Sequence, residues 1–210
     1  GGVPSWSSVP AIPVWRNERT LYKRSCDLCK KEMISNYSVG KPFPVYCNDC
    51  WWSDGWDPAT YARDYDPARP FFLQFQELLR VVPQPALNRM EKTLANSDYT
   101  NLVSYLKNCY LLFNSDYDEN CAYGTELESS KECFDCLALN TCELCFESVN
   151  LQKCQRAFYS MDCEASWDLW YSRNLSGCNN CFGCVNLRNK SYHIFNQKYA
   201  KEEYEREVKS

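Results

Sequence analysis

NCYLLFNSDYDE (108–119), NCAYGTELESSK (120–131), ECFDCLALNTCE (132–143) and LCFESVNLQKCQ (144–155) align residue for residue at a period of twelve. The register extends backwards to NSDYTNLVSYLK (96–107). It runs forwards through RAFYSMDCEASW, DLWYSRNLSGCN and NCFGCVNLRNKS to a fading YHIFNQKYAKEE (192–203). The second column reads Ser97, Cys109, Cys121, Cys133, Cys145, Ala157, Leu169, Cys181, His193. The third reads Tyr110, Ala122, Phe134, Phe146, Phe158, Trp170, Phe182, Ile194, and the eighth is mostly leucine (Leu127, Leu139, Leu151, Leu175, Leu187). A fixed period of this kind predicts a solenoid, in which each repeat buries its apolar face against the next.

A finer period of three lies inside the twelve. Of the 15 cysteines, 4 precede residue 51, and the other 11 all fall on one residue class in three. Chance alignment of that kind has odds of roughly one in tens of thousands, counted as template matches. Between positions 97 and 187 this class holds Cys, Leu, Ser, Ala, Val, Thr and Gly, with Asp118 its one charge and no aromatic. Twelve extended residues at ~3.3 Å each give a perimeter of only ~40 Å. Inward side chains must then be small, and cysteine is a small, readily buried hydrophobe. Asn114, Asn150, Asn174 and Asn186 recur in the seventh column, where a corner needs a residue tolerant of unusual dihedrals. The pattern is similar to the beetle antifreeze solenoids. Those carry an outward Thr-x-Thr column. Here the matching positions are Asn108–Tyr110, Glu132–Phe134, Arg156–Phe158 and Asp168–Trp170, so coil geometry carries over and ice binding does not.

Upstream, Cys26-Asp-Leu-Cys29 and Cys47-Asn-Asp-Cys50 form two CxxC knuckles seventeen residues apart. Two such knuckles predict a tetrahedral four-thiolate zinc site of the ribbon kind, one Zn(2+) per chain. With every ligand a cysteine, no coordination position is open for catalysis, and the expected role is structural. Residues 1–14 are rich in Pro and Ser and read as an extended arm, 15–66 as the zinc ribbon, 67–95 as a helical connection and solenoid cap, 96–199 as the solenoid, and 200–210 as a C-terminal capping helix. The expected fold is therefore mainly β: a zinc ribbon, then a parallel β-solenoid of twelve-residue coils with short capping helices. Between the knuckles a hairpin is expected, with its turn near Gly40-Lys41-Pro42. Asp57-Pro58 marks a helix start. Asp66-Pro67 caps a second helix carrying Phe71, Phe72, Phe75, Leu78, Leu79 and Val82 on one face, ended by Pro83. That helix and the following PQPALNRMEKTL (83–94) are expected to cover the first coil.

WRNERTLYKRSCDLC, VYCNDCWWSDGWD, RPFFLQF and CFGCVNLRNKSYHIFN together resemble an uncharacterised zinc-ribbon family of uncultured, small-genome bacteria of the candidate phyla radiation. The resemblance runs from about Trp15 to the C-terminus. It implies a bacterial intracellular zinc protein and supplies no activity. Members often carry a further CxxC upstream of the RNER stretch, but residues 1–14 hold neither Cys nor Arg, so no second zinc site is expected there.

The formal net charge of −4 argues against a polybasic nucleic-acid binder as a whole. The charge is divided. Residues 15–50 carry seven basic against four acidic side chains, and 96–199 carry eight basic against thirteen acidic. Trp15, Arg16, Arg19, Tyr22, Lys23, Arg24, Lys30 and Lys31 are candidate contacts to RNA or a ribonucleoprotein, with Trp51 or Trp52 as further stacking platforms. Equally, those aromatics pack around a small zinc core and Arg16 and Arg24 pair with nearby carboxylates. Tyr110, Phe134, Phe146, Phe158, Trp170 and Phe182 would form an apolar stripe too long to leave in water. Either the N-terminal half folds over it or a protein partner does.

Catalytic machinery is thin. The single histidine, His193, reads as a core or cap residue, and no nucleophile elbow, phosphate loop or HExxH is present. Cys133, Cys136, Cys142, Cys145 and Cys178, Cys181, Cys184 have metal-like spacings, but the period of three already places them in the lumen. A buried cluster, or a disulfide ladder in an oxidising compartment, is the alternative use of those thiols. No apolar run approaches the ~20 residues of a membrane span, and no charged-then-apolar segment follows Gly1. The expectation is a cytoplasmic, non-catalytic docking protein without small-molecule substrate or membrane partner. Its ribbon engages RNA or ribonucleoprotein and its solenoid engages protein. A purely protein–protein scaffold is the alternative, and a metal-cluster or redox protein the next.

Overall fold

The computed structural model describes residues 19–209. The arm at 1–14, Trp15 and Arg16 lie outside them. The chain divides into two compact units, Gly1–Asn88 and Arg89–Ser210.

In the first unit, β1 (Tyr22–Ser25) pairs antiparallel with β2 (Glu32–Ser35), Tyr22 opposite Ser35 and Ser25 opposite Glu32. The turn of this hairpin is the first cysteine knuckle itself. Cys26 N donates to Lys31 O at 2.9 Å, Lys30 N donates to Cys26 O at 3.0 Å, and Lys30 takes φ +65°. The expected hairpin with its turn at Gly40-Lys41-Pro42 is not formed. Instead β3 (Val45–Tyr46) pairs in parallel with β4 (Gln84–Pro85), far along the chain. The reason is local: the 26–31 turn is clamped by its own backbone bonds, and β2 takes its partner from upstream. α1 (Asn48–Trp51) follows Cys47 directly. Asp57 caps a 3-10 turn at Pro58–Tyr61, its side chain accepting from Ala59 N at 2.8 Å, as expected. Asp66 caps only a turn, accepting from Ala68 N at 2.8 Å. The helix α2 (Phe71–Leu79) starts later, after Pro70, and ends at Arg80, short of Pro83 and Val82. Ser35, Val45, Tyr46, Ala86 and Leu87 form the buried centre of this unit.

The second unit is a parallel β-solenoid. One sheet stacks Asn101–Ser104, Tyr110–Asp116, Ala122–Glu128, Leu137–Asn140, Val149–Gln152 and Met161–Glu164. The other stacks Glu143–Phe146, Gln155–Phe158, Trp167–Trp170, Asn179–Phe182 and Ser191–Ile194. Register advances by twelve at every rung: Leu139, Leu151 and Cys163 in the first sheet, and Cys145, Ala157, Leu169, Cys181 and His193 in the second. The ladder already runs at Arg89, bridged to Val103, and Leu94 packs on the core. Residues 89–95 thus belong to the stack rather than to a cover over it. At the far end Gln197–Lys198 turns back antiparallel on Ser191–Ile194. Asn196 imitates a further rung, accepting from Val185 N at 2.8 Å and donating to Val185 O at 2.9 Å. The helix α3 (Lys201–Lys209) then caps the stack, with Tyr204 buried edge-on to Tyr192.

The predicted period of three is the burial pattern. From Ser97 to Cys184 every third residue is buried. The lumen is full: a Cβ added at Gly124 would lie 2.8 Å from Leu127 and 3.0 Å from Leu112. The residue before each inward one carries the turn. Every third residue from Leu102 to Phe195 has φ between +45° and +65°. The seventh-column asparagines are among them, but so are Leu111, Tyr159 and Arg156.

This backbone leaves one N–H in three pointing into the lumen. Where the inward side chain one coil earlier is serine, cysteine or aspartate, it accepts that N–H. Ser160 N donates to Ser148 Oγ at 3.2 Å, Ser172 N to Ser160 Oγ at 3.3 Å, and Cys184 N to Ser172 Oγ at 3.3 Å. Cys133 N is 3.5 Å from Cys121 Sγ. Each of these side chains also donates to the carbonyl two residues back, as Ser160 Oγ does to Phe158 O at 3.0 Å and Cys133 Sγ to Lys131 O at 3.2 Å. Asp118 occupies one such station, its Oδ1 accepting from Ser130 N at 2.8 Å while Oδ2 has no partner. Burial, with Asp116 and Glu128 nearby, raises its carboxyl to about 7, against a partial opposing effect of the Ser130 N–H.

Two outcomes test this packing. Cys145→Phe should unfold or severely destabilise the second unit, whereas outward Phe146→Ser should cost far less, read as midpoints of chemical denaturation. Equal tolerance would contradict the lumen. For Asp118 the raised native pKa means the folded state holds its proton longer than the unfolded chain (~3.9). Stability is therefore lost as pH rises from about 4 to about 7, by roughly 4 kcal/mol at ~1.4 per pKa unit. Asp118→Asn should remove that slope and raise the melting temperature at pH 8.

Candidate metal centre and flanking surfaces

The two knuckles bring Cys26, Cys29, Cys47 and Cys50 together, all four sulfurs within 4.8 Å of one another. Cys26 comes from the β1–β2 turn and is fully buried. Cys29 is exposed at that turn's tip, and Cys47 and Cys50 flank the start of α1, half-buried. Asp27 fixes the two knuckles to each other: its N–H donates to Val45 O at 2.9 Å and its Oδ2 accepts from Val45 N at 2.7 Å. Cys47 N donates to Cys26 Sγ at 3.2 Å. Burial alone would push the Cys26 thiol up, but the N–H groups of Cys47, Cys29 and Leu28 outweigh it and bring it down to about 6. A thiolate is the form that ligates metal.

The spacing discriminates between uses of these thiols. A disulfide needs sulfurs at ~2.05 Å. A tetrahedral metal with bonds of ~2.3 Å holds its sulfurs about 3.8 Å apart. Cys29 Sγ and Cys47 Sγ are 3.8 Å apart. The donor set and its size fit a four-coordinate metal ion, with all four positions taken by the protein. Among the described residues this is the one group of three or more such ligands drawn together. Cys133, Cys136, Cys142 and Cys145 are each committed to lumen hydrogen bonds with backbone carbonyls. Burial pushes Cys109 and Cys136 up to about 11, which keeps them neutral thiols. His193 is inward and buried, its Nδ1 donating to Ser191 O at 2.8 Å.

Around the centre the basic residues divide. Arg24 is not free to contact a phosphate. Its side chain is 6% exposed, donating to Asp27 Oδ2 at 2.8 Å and to Ser38 O at 3.1 Å. It braces the knuckle, as the pairing alternative has it. Lys30 is exposed but donates to Asp27 O at 2.7 Å. Arg19, Tyr22, Lys23 and Lys31 are exposed. Trp51 packs on Trp56 at 4.9 Å, and Trp52 is 78% exposed. The organising role of Asp27 was not anticipated, although an acid between the knuckle cysteines is a visible signal.

On the solenoid, Tyr110 and Phe134 are exposed and Phe146, Phe158, Trp170 and Phe182 half-buried. They do not form one continuous stack. Phe158 and Trp170 stack at 4.3 Å, but the other contacts run to the fourth column, edge-on thirteen residues ahead (Tyr110 with Tyr123, Phe146 with Tyr159, Phe182 with Phe195), edge-on eleven behind (Tyr110 with Tyr99, Phe182 with Tyr171) or tilted to the next residue (Trp170 with Tyr171). That fourth column escaped the sequence reading because Leu111, Asp135, Glu147 and Gly183 interrupt it. No family model matches the chain, and no curated protein matches it.

Replacing Cys26 or Cys47 by Ser should release bound metal and loosen the first unit locally, because ligation and folding are coupled there. Metal analysis by plasma emission and amide exchange check this. Retention of stoichiometric metal in a variant lacking Cys26, Cys29, Cys47 and Cys50 together would refute the site.

Proposed function

We propose that this chain is a non-catalytic, zinc-binding docking protein. Its cysteine centre holds one zinc ion and presents an RNA- or ribonucleoprotein-facing surface, and its solenoid faces a protein partner. The observation that carries the reading is the closed four-thiolate centre: every coordination position is a protein ligand, so the metal builds structure and leaves no vacancy for substrate. Zinc is favoured because four thiolates in a tetrahedron suit a soft, redox-silent d¹⁰ ion. The nucleic-acid side rests on Arg19, Lys23, Lys31, Tyr22 and Trp52, all exposed on the unit that carries the centre. An exposed indole beside cations is a stacking platform for an unpaired base. The resemblance to zinc-ribbon proteins of candidate phyla radiation bacteria, and the cytoplasm as the compartment, belong to the same proposal.

A purely protein–protein scaffold is the second reading, favoured by the sequestration of Arg24 against Asp27. Titration of a single-stranded oligoribonucleotide at several salt concentrations separates the two. On the first reading, Lys23→Ala and Lys31→Ala each flatten the log–log salt slope by about one where the lysine meets a phosphate. Trp52→Ala then weakens binding by roughly 1–3 kcal/mol, with zinc content unchanged. Absence of salt-dependent RNA binding leaves the scaffold. Elemental analysis returning one zinc and no iron excludes a cluster built on the lumen thiols.

A further inference from the structure

The ring contacts of the solenoid's third column lapse over one stretch, Ala122 and Phe134. Positions thirteen apart pair rings at Tyr110–Tyr123, Phe146–Tyr159 and Phe182–Phe195. At Ala122 the position thirteen ahead is Asp135, and at Phe134 it is Glu147. Both acids lie over those residues by direct backbone bonds, Asp135 N to Ala122 O and Glu147 N to Phe134 O, each at 3.1 Å. Phe134, 42% exposed, is consequently the one aromatic of the third column without a ring neighbour among the described residues.

An open groove lies there, lined by Glu132, Phe134, Leu144, Phe146 and Phe158. Glu132 stands on one side of the phenyl column, and Asp135 and Glu147 on the other. All three carboxylates are exposed, and none has an ion-pair or hydrogen-bond partner for its side chain among the described residues. The single cation of the first column, Arg156, is held by Asp168 in two bonds of 2.5 and 2.6 Å and does not neutralise them. Every other aromatic of the third column has a ring neighbour. Here a phenyl face and three carboxylates are left together.

We propose that this groove docks a basic, aliphatic peptide segment of a partner protein, with an arginine or lysine seated over Phe134 between Glu132, Asp135 and Glu147 and its aliphatic neighbours against Leu144, Phe146 and Phe158. The chemistry is complementary on both counts, cation to carboxylates and ring face, alkyl to the apolar floor. A nucleic acid is repelled by the same carboxylates. A second copy of this acidic solenoid would bring like charges together. The inference rests on reading the solenoid as the partner-facing unit and specifies what that partner presents.

The test uses the full chain and a short fluorescein-labelled peptide alternating arginine and leucine, followed by anisotropy at low and physiological salt. A matched peptide with glutamine for arginine is run beside it. The arginine peptide should bind, and Glu132→Gln/Asp135→Asn/Glu147→Gln should weaken it about tenfold or more, as should Phe134→Ala. A control with equal net charge, Glu126→Gln/Glu164→Gln/Glu202→Gln, should stay within about twofold, since those acids lie off the groove. Equal loss in both triple variants would reduce the effect to diffuse attraction and overturn the proposal. Equal binding of the glutamine peptide would overturn it while leaving the solenoid a partner-facing surface. Binding of neither peptide would count against both. Self-association in sedimentation that Phe134→Ala abolishes would assign the groove to a second copy and refute the peptide reading.

Discussion

The second unit depends on one hydrogen-bonding constraint. In a coil with a left-handed residue at every third position, one backbone N–H in three points into a lumen that excludes water. Left unmet, a buried N–H costs about 1–3 kcal/mol. The inward side chains of the preceding coil are within reach, so a small side chain that accepts meets it there. Such a side chain can also donate, because the carbonyl two residues back is close. Serine and cysteine satisfy both conditions, and the column Ser148, Ser160, Ser172, Cys184 shows them exchanging with register kept. Leucine, as at Leu139 and Leu151, contributes apolar volume to the lumen and offers no acceptor.

The left-handed residues follow from the same closure. A single such residue costs an L-amino acid roughly 1–2 kcal/mol, and the second unit repeats it at every corner with glycine at only Gly177 and Gly183. Three kinds of interaction between coils offset it. Backbone bonds tie each corner to the coil before, as Asn120 N to Lys107 O at 2.9 Å. Asparagines in the left-handed class ladder onto one another, Asn96 to Asn108 at 3.1 Å and Asn108 to Asn120 at 3.0 Å. Ion pairs link equivalent positions in successive coils, Lys107 with Glu119 and Arg156 with Asp168. None would survive in an isolated coil, which is why the repeat number and the end caps matter.

What could be read from the sequence was what repeats. The twelve-residue register, the inward third residue and the paired CxxC knuckles are patterns in which many positions agree, so one deviation such as Asp118 does not hide them. What could not be read was what depends on a single long-range pairing. The parallel pairing of Val45–Tyr46 with Gln84–Pro85 has no local signature, and the Gly-Lys-Pro stretch at 40–42 looked like a hairpin turn for lack of it. Arg24 looked like a phosphate contact because its partners, Asp27 and Ser38, are brought to it only by the folded knuckle. Cysteine was explained by size alone. Its hydrogen-bonding duty appears only when the neighbouring coil is in place.

That duty decides what oxidation would do to the lumen. Stacked cysteines such as Cys109, Cys121, Cys133 and Cys145 sit one coil apart, about 4.8 Å along the stack, a separation that a disulfide can span. Yet each thiol is engaged, Cys109 Sγ donating to Lys107 O at 3.4 Å and Cys121 Sγ to Glu119 O at 3.4 Å while accepting from Cys133 N. A disulfide sulfur has no proton to donate, and its dihedral would turn both side chains away from the carbonyls they now meet. Serine is the chemical equivalent of cysteine at these stations and cystine is not. The hydrogen bonds of the lumen therefore suit thiols and hydroxyls at these stations and not cystines.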